Sequence, residues 1–492
     1  MAFGPGCRPV GYAVGMMHQL IAAVLIALTP PDGEGTKWPL TSDVPRDVAK
    51  PEETALGRYV AKDDGAYRWE LVKTTESEGV TIYDIRLTSQ RWRSESEVSH
   101  PLWTHWLTVS VPTKIRHETA IMMVGGGRRR EEPQPTPRAE FLLLARSSGA
   151  VMCVVDNVPN QPLQLEGDGQ ERTEDDMLSQ TWNLAMRDDD SLWIGRFPMV
   201  KAVKRAMDAT DEFLGSKGIR NDGYFVTGAS KRGWTAWLIG AMDARVKAIA
   251  PIVIDVLNMP ANTRHHYEAY GFWSEALNDY IKNGIAAKFG SPELARVTAH
   301  EDPAEYVKFL GERPVYIVNA TGDEFFPTDS FRHYENLLDC DWGLRCVPNA
   351  GHNLKGSNAL LDIVAFYNAF VTGAERPKVR WTVGETGVVA ITTSAKPVRA
   401  VVWASDNAKS RDFRFHFTGA TWMQTELPAT NTEGTTYEMK LEKPATGFRA
   451  ALAEFTFAPP SPGAPPLVYT TRVFVMPEEM PFALPAASPA KP

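Results

Sequence analysis

Three stretches of this sequence place a nucleophile, an acid and a base just behind apolar runs. Tyr224-Phe225-Val226-Thr227-Gly228-Ala229-Ser230-Lys231-Arg232-Gly233-Trp234 reads as a strand, a sharp turn around Ser230, then a helix start. Such a turn holds a serine hydroxyl exposed above a sheet, and the next N–H, that of Lys231, faces the oxyanion formed on attack. The match to G-x-S-x-G is imperfect. Gly228 is in place, but Arg232 holds the fifth position with Gly233 one step later, so Arg232 is expected to project outward. Taken alone, a serine here reads equally well as a helix cap. Val315 to Asp323 is an apolar run ending in a turn that carries Asp323, and Leu344 to His352 is another ending in a loop that carries His352. A serine, an imidazole and a carboxylate together are the equipment for attack on a carbonyl carbon.

The chain order Ser230, Asp323, His352, each past a predicted strand, is that of α/β-hydrolase enzymes. Between Ser230 and Asp323 there is room for a lid; between Asp323 and His352, for one helix and one strand. Asp255 is a rival acid, because Ile252-Val253-Ile254-Asp255 also ends a strand. Asp323 is preferred because its strand immediately precedes the one bearing His352. Asp255 is then expected to order the lid or meet substrate. Gly125-Gly126-Gly127 after Met122-Met123-Val124 supplies a second piece of an oxyanion hole, since bare backbone can approach a carbonyl closely. No G-K-[ST] follows these glycines, which argues against a phosphate loop. Asn160 and Gln161, leaving the next strand on the same edge, are candidate pocket residues, with His265, His266 and Trp273. The His265-His266 adjacency is the wrong geometry for two ligands from one helix face, so no metal is expected, and no cofactor.

These residues require a scaffold that lines up strand ends. Short apolar runs (Ala120 to Val124, Val151 to Val155, Tyr224 to Thr227, Ala248 to Ile254, Val315 to Val318, Leu344 to Val347) alternate with helical stretches such as Met199 to Leu214, Trp234 to Met242 and Ser357 to Phe370. That alternation implies a doubly wound, mainly parallel sheet covered on both faces. Three earlier strands are expected between residues 66 and 111. A helical insertion at about 256–312, rich in aromatics, is placed to act as a lid. Beyond Gly373-Ala374-Glu375-Arg376-Pro377 the period switches to two, as in Phe413-Arg414-Phe415-His416-Phe417, Thr436 to Leu441, Ala453 to Phe457 and Tyr469 to Val475. About seven such strands suggest an immunoglobulin-like β-sandwich. The expected division is a leader or disordered extension at 1–36, an α/β-hydrolase unit at 37–372, the sandwich at 378–476 and a flexible tail at 477–492.

Composition narrows the function classes. The chain has 492 residues, 43% of them hydrophobic and 23% charged, with a formal charge of −8. No basic stripe appears, which argues against nucleic acid, and no apolar run reaches the ~20 residues that span a bilayer. Leu20 to Leu28 is the size of a signal-peptide h-region, so a leader from Met16 to Leu28 and a periplasmic or secreted protein are expected. Four cysteines are too few for a disulfide scaffold; in an exported protein Cys340 and Cys346 could pair to close a small loop, but they read better as independent buried thiols.

Several unusual stretches resemble the PhoPQ-activated pathogenicity-related protein family, of the PqaA type. They are Tyr67-Arg68-Trp69-Glu70, Ser89 to Arg93, Val158 to Leu163, Gly228 to Trp234, Arg264 to Tyr267, Gly322 to Phe326 and Pro348-Asn349-Ala350, and the likeness runs from about Thr54 to Phe370. The resemblance implies an α/β-hydrolase core, an exported protein, and Ser230, Asp323 and His352 as the triad. Two positions depart from the family pattern: Glu324 stands where Gln is usual, and Gly351 where Asp is usual. The leading expectation is a serine hydrolase acting on a small-molecule or peptide ester or amide. An aminopeptidase is the alternative within enzymes, with Glu268 and Glu275 binding the substrate amine. The contrasting class is a non-catalytic secreted binding or signalling protein that keeps the fold.

Overall fold

Alternating apolar strands and helices assemble into a nine-stranded sheet. The computed structural model describes residues 37–133, 139–384 and 387–484, so the expected leader lies outside the described residues. The strands are β1 (Arg68–Ser77), β2 (Val80–Arg91), β3 (Leu102–Pro112), β4 (Thr119–Val124), β5 (Met152–Val155), β6 (Gly223–Ala229), β7 (Val246–Ile252), β8 (Val315–Ala320) and β9 (Trp342–Val347). Their spatial order is β1-β2-β3-β5-β4-β6-β7-β8-β9. The β1-β2-β3-β5 pairings are antiparallel, and every pairing from β5 through β4 to β9 is parallel. The chain runs outward from β4 to β5 on one face and from β6 to β7 on the other, so the switch point lies between β4 and β6, and in such sheets ligands meet the carboxyl ends of the strands there.

Strands β4 to β9 are almost wholly buried, as a sheet covered on both faces must be, whereas β1 forms an exposed edge. The helices are α1 (Ala55–Ala61), α2 (Ala139–Ser148), α3 (Glu174–Asp188), α4 (Arg196–Ser216), α5 (Lys231–Met242), α6 (Met259–Tyr270), α7 (Asn278–Lys282), α8 (Pro292–Thr298), α9 (Pro303–Tyr306) and α10 (Ala359–Thr372). Side chains of α3, α4 and α5 share one hydrophobic core, and those of α2 and α10 share the other. Helix α3 opens with Glu174, Asp175 and Asp176 and carries Arg187 in its last turn, the charge order its dipole favours.

The C-terminal region is rich in antiparallel strands. One sheet joins β10 (Val379–Val383), β11 (Val388–Thr393) and β14 (Thr436–Lys440). The other joins β12 (Arg399–Asn407), β13 (Met423–Glu426), β15 (Phe448–Phe457), β16 (Leu467–Thr470) and β17 (Phe474–Met476). The described residues from Lys37 onward form one compact unit, and the β-rich region packs firmly on the α/β sheet. Arg345 of β9 is buried between Asp362 of α10 and Glu454 of β15, at 2.8 and 2.7 Å. Tyr316 of β8 donates its hydroxyl proton to the Val468 carbonyl.

Two expectations need correction. Phe413 to Phe417 is not a strand: it enters a short helical turn, α11 (Phe415–Thr418), because Arg411 and Arg414 turn inward to buried acids rather than outward to solvent. The tail is not loose at its start, since the Phe482 N–H bonds the Glu268 carbonyl of α6 and its ring packs on Gly271. Cys153, Cys340 and Cys346 are free thiols. No helix among the described residues is long and apolar enough to cross a membrane.

Candidate functional site

Ser230, Asp323 and His352 follow the carboxyl ends of β6, β8 and β9, and the three glycines follow β4. Ser230 adopts φ 57° and ψ −128°, a conformation that side-chain-bearing residues avoid. The turn is tight enough to need two glycines. A Cβ on Gly228 would lie 2.8 Å from the Arg232 carbonyl, and one on Gly233 would lie 2.8 Å from the Gly228 carbonyl oxygen. Gly233 is thus the residue that lets α5 pack on the strand end.

Arg232 does not project outward. Its Nε donates to the Val158 carbonyl at 2.6 Å, its two terminal nitrogens grip Glu174 at 2.8 and 2.7 Å, and its guanidinium covers Gly126. Burial alone would raise Glu174, but Arg232 and Lys231 hold its carboxyl down at about 2. The bulky residue is accommodated because it ties the turn to the loops after β4 and β5.

His352 and Asp323 are joined directly, Nδ1 lying 2.8 Å from one carboxylate oxygen and 3.0 Å from the other. Burial works to lower the imidazole, yet the Asp323 charge and hydrogen bond, with Glu324 beside it, raise it above its ordinary range. Glu324 accepts the His352 backbone N–H at 2.7 Å, and its carboxylate fills the space that a Cβ on Gly351 would need. Glu324 and Gly351 therefore answer each other. The His352 ring packs on Phe325 and Phe326, with ring centroids 4.5 and 6.4 Å away. Those two rings and Ser230 line the same cavity, under the segment that holds α6 and α7. His266 and Trp273 line it as well, with Lys231, Arg196 and Asn262.

Of the oxyanion candidates, Lys231 opens α5, where a helix N–H has no acceptor in its own helix. Gly125 is excluded, because its N–H is spent on the Val155 carbonyl at 2.8 Å. Gly126 and Gly127 remain.

Four other candidates lie away from the cavity lining. Asn160 is fully buried among the backbones of His100 and Leu102, and Gln161 bridges Glu174 and the Gly127 carbonyl. Asp255 accepts from the Tyr334 hydroxyl at 2.6 Å; burial, helped by Asp323 and Asp329, pushes its carboxyl up to about 8. His265 bonds Asp329 at 2.8 Å, and Arg411 from the β-rich region clasps the same carboxylate at 3.1 and 2.7 Å. Burial would raise Asp329, but His265 and Arg411 hold it well below the usual range.

Glu268 and Glu275 also lie outside the lining, facing Arg264 and the Arg414–His416 pair. No group of three His, Cys, Asp or Glu side chains suited to a metal ion occurs among the described residues.

Sequence reasoning missed the supports supplied by the C-terminal region. The Phe415 N–H bonds the Gly322 carbonyl beside Asp323, and Trp422 exchanges two hydrogen bonds with Asn349 on the His352 loop. It also missed Asn262, although its spacing of four from His266 on a predicted helix was a usable signal.

The family model described as "PhoPQ-activated pathogenicity-related protein" matches residues 56–414. Autocrine proliferation repressor protein A of Dictyostelium discoideum is 34% identical over 462 residues, covering 88% of this chain and 93% of that protein. Among solved structures, acetyl xylan esterase 1 from Thermoanaerobacterium sp. JW/SL YS485 is 13% identical, with a TM-score of 0.46 over 64% of this chain and 92% of that one. An S-formylglutathione hydrolase from Agrobacterium tumefaciens is 16% identical, with a TM-score of 0.39 over 61% of this chain and 99% of that one.

Proposed function

The chain belongs to the PhoPQ-activated pathogenicity-related protein family, and on that footing we propose that it is an exported serine hydrolase cleaving an ester or amide. The observation that carries the reading is the 2.8 Å His352–Asp323 pair, packed on the phenylalanines that share a cavity wall with the Ser230 turn. Ser230 Oγ attacks the carbonyl carbon while His352 Nε2 takes its proton. Asp323 holds the Nδ1–H tautomer and stabilises the imidazolium. The tetrahedral oxyanion is bound by the Lys231 N–H and by Gly126 or Gly127, each donor contributing ~3 kcal/mol. His352 then returns its proton to the leaving group, and water repeats the sequence on the acyl-enzyme. The segment at 256–312 serves as the lid, and Leu20 to Leu28 serves as the export signal. Glu268 and Glu275 face cations outside the cavity, which weakens the aminopeptidase alternative.

The test is covalent labelling by a fluorophosphonate probe. Wild type labels and Ser230→Ala does not. A folded wild type that stays unlabelled overturns the hydrolase reading. It would favour the second reading, a secreted signalling protein that keeps the fold, to which the name of the Dictyostelium relative lends support.

A further inference from the structure

The cavity above Ser230 has aromatic walls, among them Trp182, Trp234, Trp273, Tyr280 and Phe289. Its cations already face carboxylates. Lys231 Nζ lies 2.9 Å from Glu174 and 3.3 Å from Asp175. The Arg196 guanidinium sits 3.9 Å from the centroid of the Trp234 ring, with Nε 3.7 Å from the buried Glu301. An ionic ligand would find no unpaired opposite charge there, and would still have to shed its hydration shell.

Apart from Arg196 Nε, which has the Glu301 ion pair but no hydrogen bond, the unmet hydrogen-bonding capacity in the lining is neutral. His266 is 3% exposed and neither ring nitrogen has a partner. Asn262 is 5% exposed; its Nδ2 donates to the Leu257 carbonyl at 2.6 Å, and its Oδ1 has no partner. The two stand one turn apart on α6, so they share a face of that helix. The His266 ring is held by stacking on Trp273, at 5.5 Å, and by an edge contact with Tyr270, at 4.9 Å. Burial, with the charges of Arg414 and His265, pushes its imidazole down to about 3, so it is neutral and offers one donor and one acceptor. A buried polar atom left unpaired costs ~1–3 kcal/mol, a cost that a bound ligand removes.

We propose that the cavity selects an uncharged hydroxyaryl substrate, its ring lying between the aromatic walls and its hydroxyl held by His266 and Asn262. The hydroxyl accepts from the imidazole N–H and donates to Asn262 Oδ1, which satisfies both ends with one group. This assignment rests on the hydrolase reading and names its substrate class.

Two matched pairs of esters test it, one pair for each half of the ester. The first is para-nitrophenyl phenylpropanoate with its para-hydroxyl analogue on the acyl ring. The second is the acetate of phenylethanol with that of para-hydroxyphenylethanol. In at least one pair, wild type prefers the hydroxyl-bearing member in kcat/KM by ~10-fold or more, because a site built for a hydroxyl rejects the analogue that lacks it. His266→Phe and, separately, Asn262→Leu collapse that ratio, with fluorophosphonate labelling of each variant as the check that it is folded. A preference below twofold in both pairs, or one that survives in a labelled variant, overturns the proposal. Labelled protein that hydrolyses both members alike defeats only the hydroxyaryl assignment; wild type that neither labels nor hydrolyses defeats the hydrolase reading beneath it.

Discussion

Replacing Ser230 with Gly should make the protein more stable than replacing it with Ala. At φ 57° and ψ −128°, a residue bearing a Cβ pays strain of ~1–3 kcal/mol, and glycine pays almost none. Glycine also gives the unfolded chain more freedom, which offsets ~0.4–1 kcal/mol of that gain. Both variants lack the hydroxyl, so its interactions cancel in the comparison. The difference left is about 1 kcal/mol in favour of Ser230→Gly. Urea unfolding of the two variants, followed by tryptophan fluorescence, measures it as a shift in midpoint at equal slope. A Ser230→Ala protein as stable as Ser230→Gly, or more stable, would refute the claim that the turn stores strain at its serine.

Two pH experiments follow from the carboxylates around the site. His352 must be neutral to accept a proton, and Glu324 is one of the charges that favour its imidazolium. Glu324→Gln should therefore move the acid limb of the kcat/KM profile to lower pH; a limb that stays put or moves up contradicts the assignment. Asp255 has its carboxyl pushed up to about 8 in the folded protein. Between the ordinary carboxylate range and that value the native state keeps a proton that the unfolded chain has lost, so stability falls as pH rises through the window. Asp255→Asn should flatten that fall in melts at about pH 5 and about pH 8, and an undiminished slope would reject it.

The placement of Ser230, Asp323 and His352 at strand ends was legible because each follows a run of apolar residues that reads as a buried strand. Charged side chains were not legible in the same way. Arg232 reads as outward because a guanidinium needs water or an acid, and its acid, Glu174, lies 58 residues earlier. Phe413 to Phe417 reads as a strand because aromatic and basic residues alternate. The acids that draw in the neighbouring arginines include Asp329 and Glu275, which are distant in sequence. Periodicity reports what water would do with a side chain; it is silent on partners that only the fold brings near.

The clasp made by Arg411, Arg414, Phe415 and Trp422 bears on the order in which the molecule can be finished. A chain leaves the ribosome N-terminus first, so Ser230, Asp323 and His352 all emerge before any of these four residues. A nascent chain that ends short of Arg411 holds Ser230, Asp323 and His352 but not the hydrogen bonds to Gly322 and Asn349 that brace the loops after β8 and β9. These braces therefore form only after the segment from Arg411 to Trp422 has been made, which places the packing of the β-rich region late in assembly.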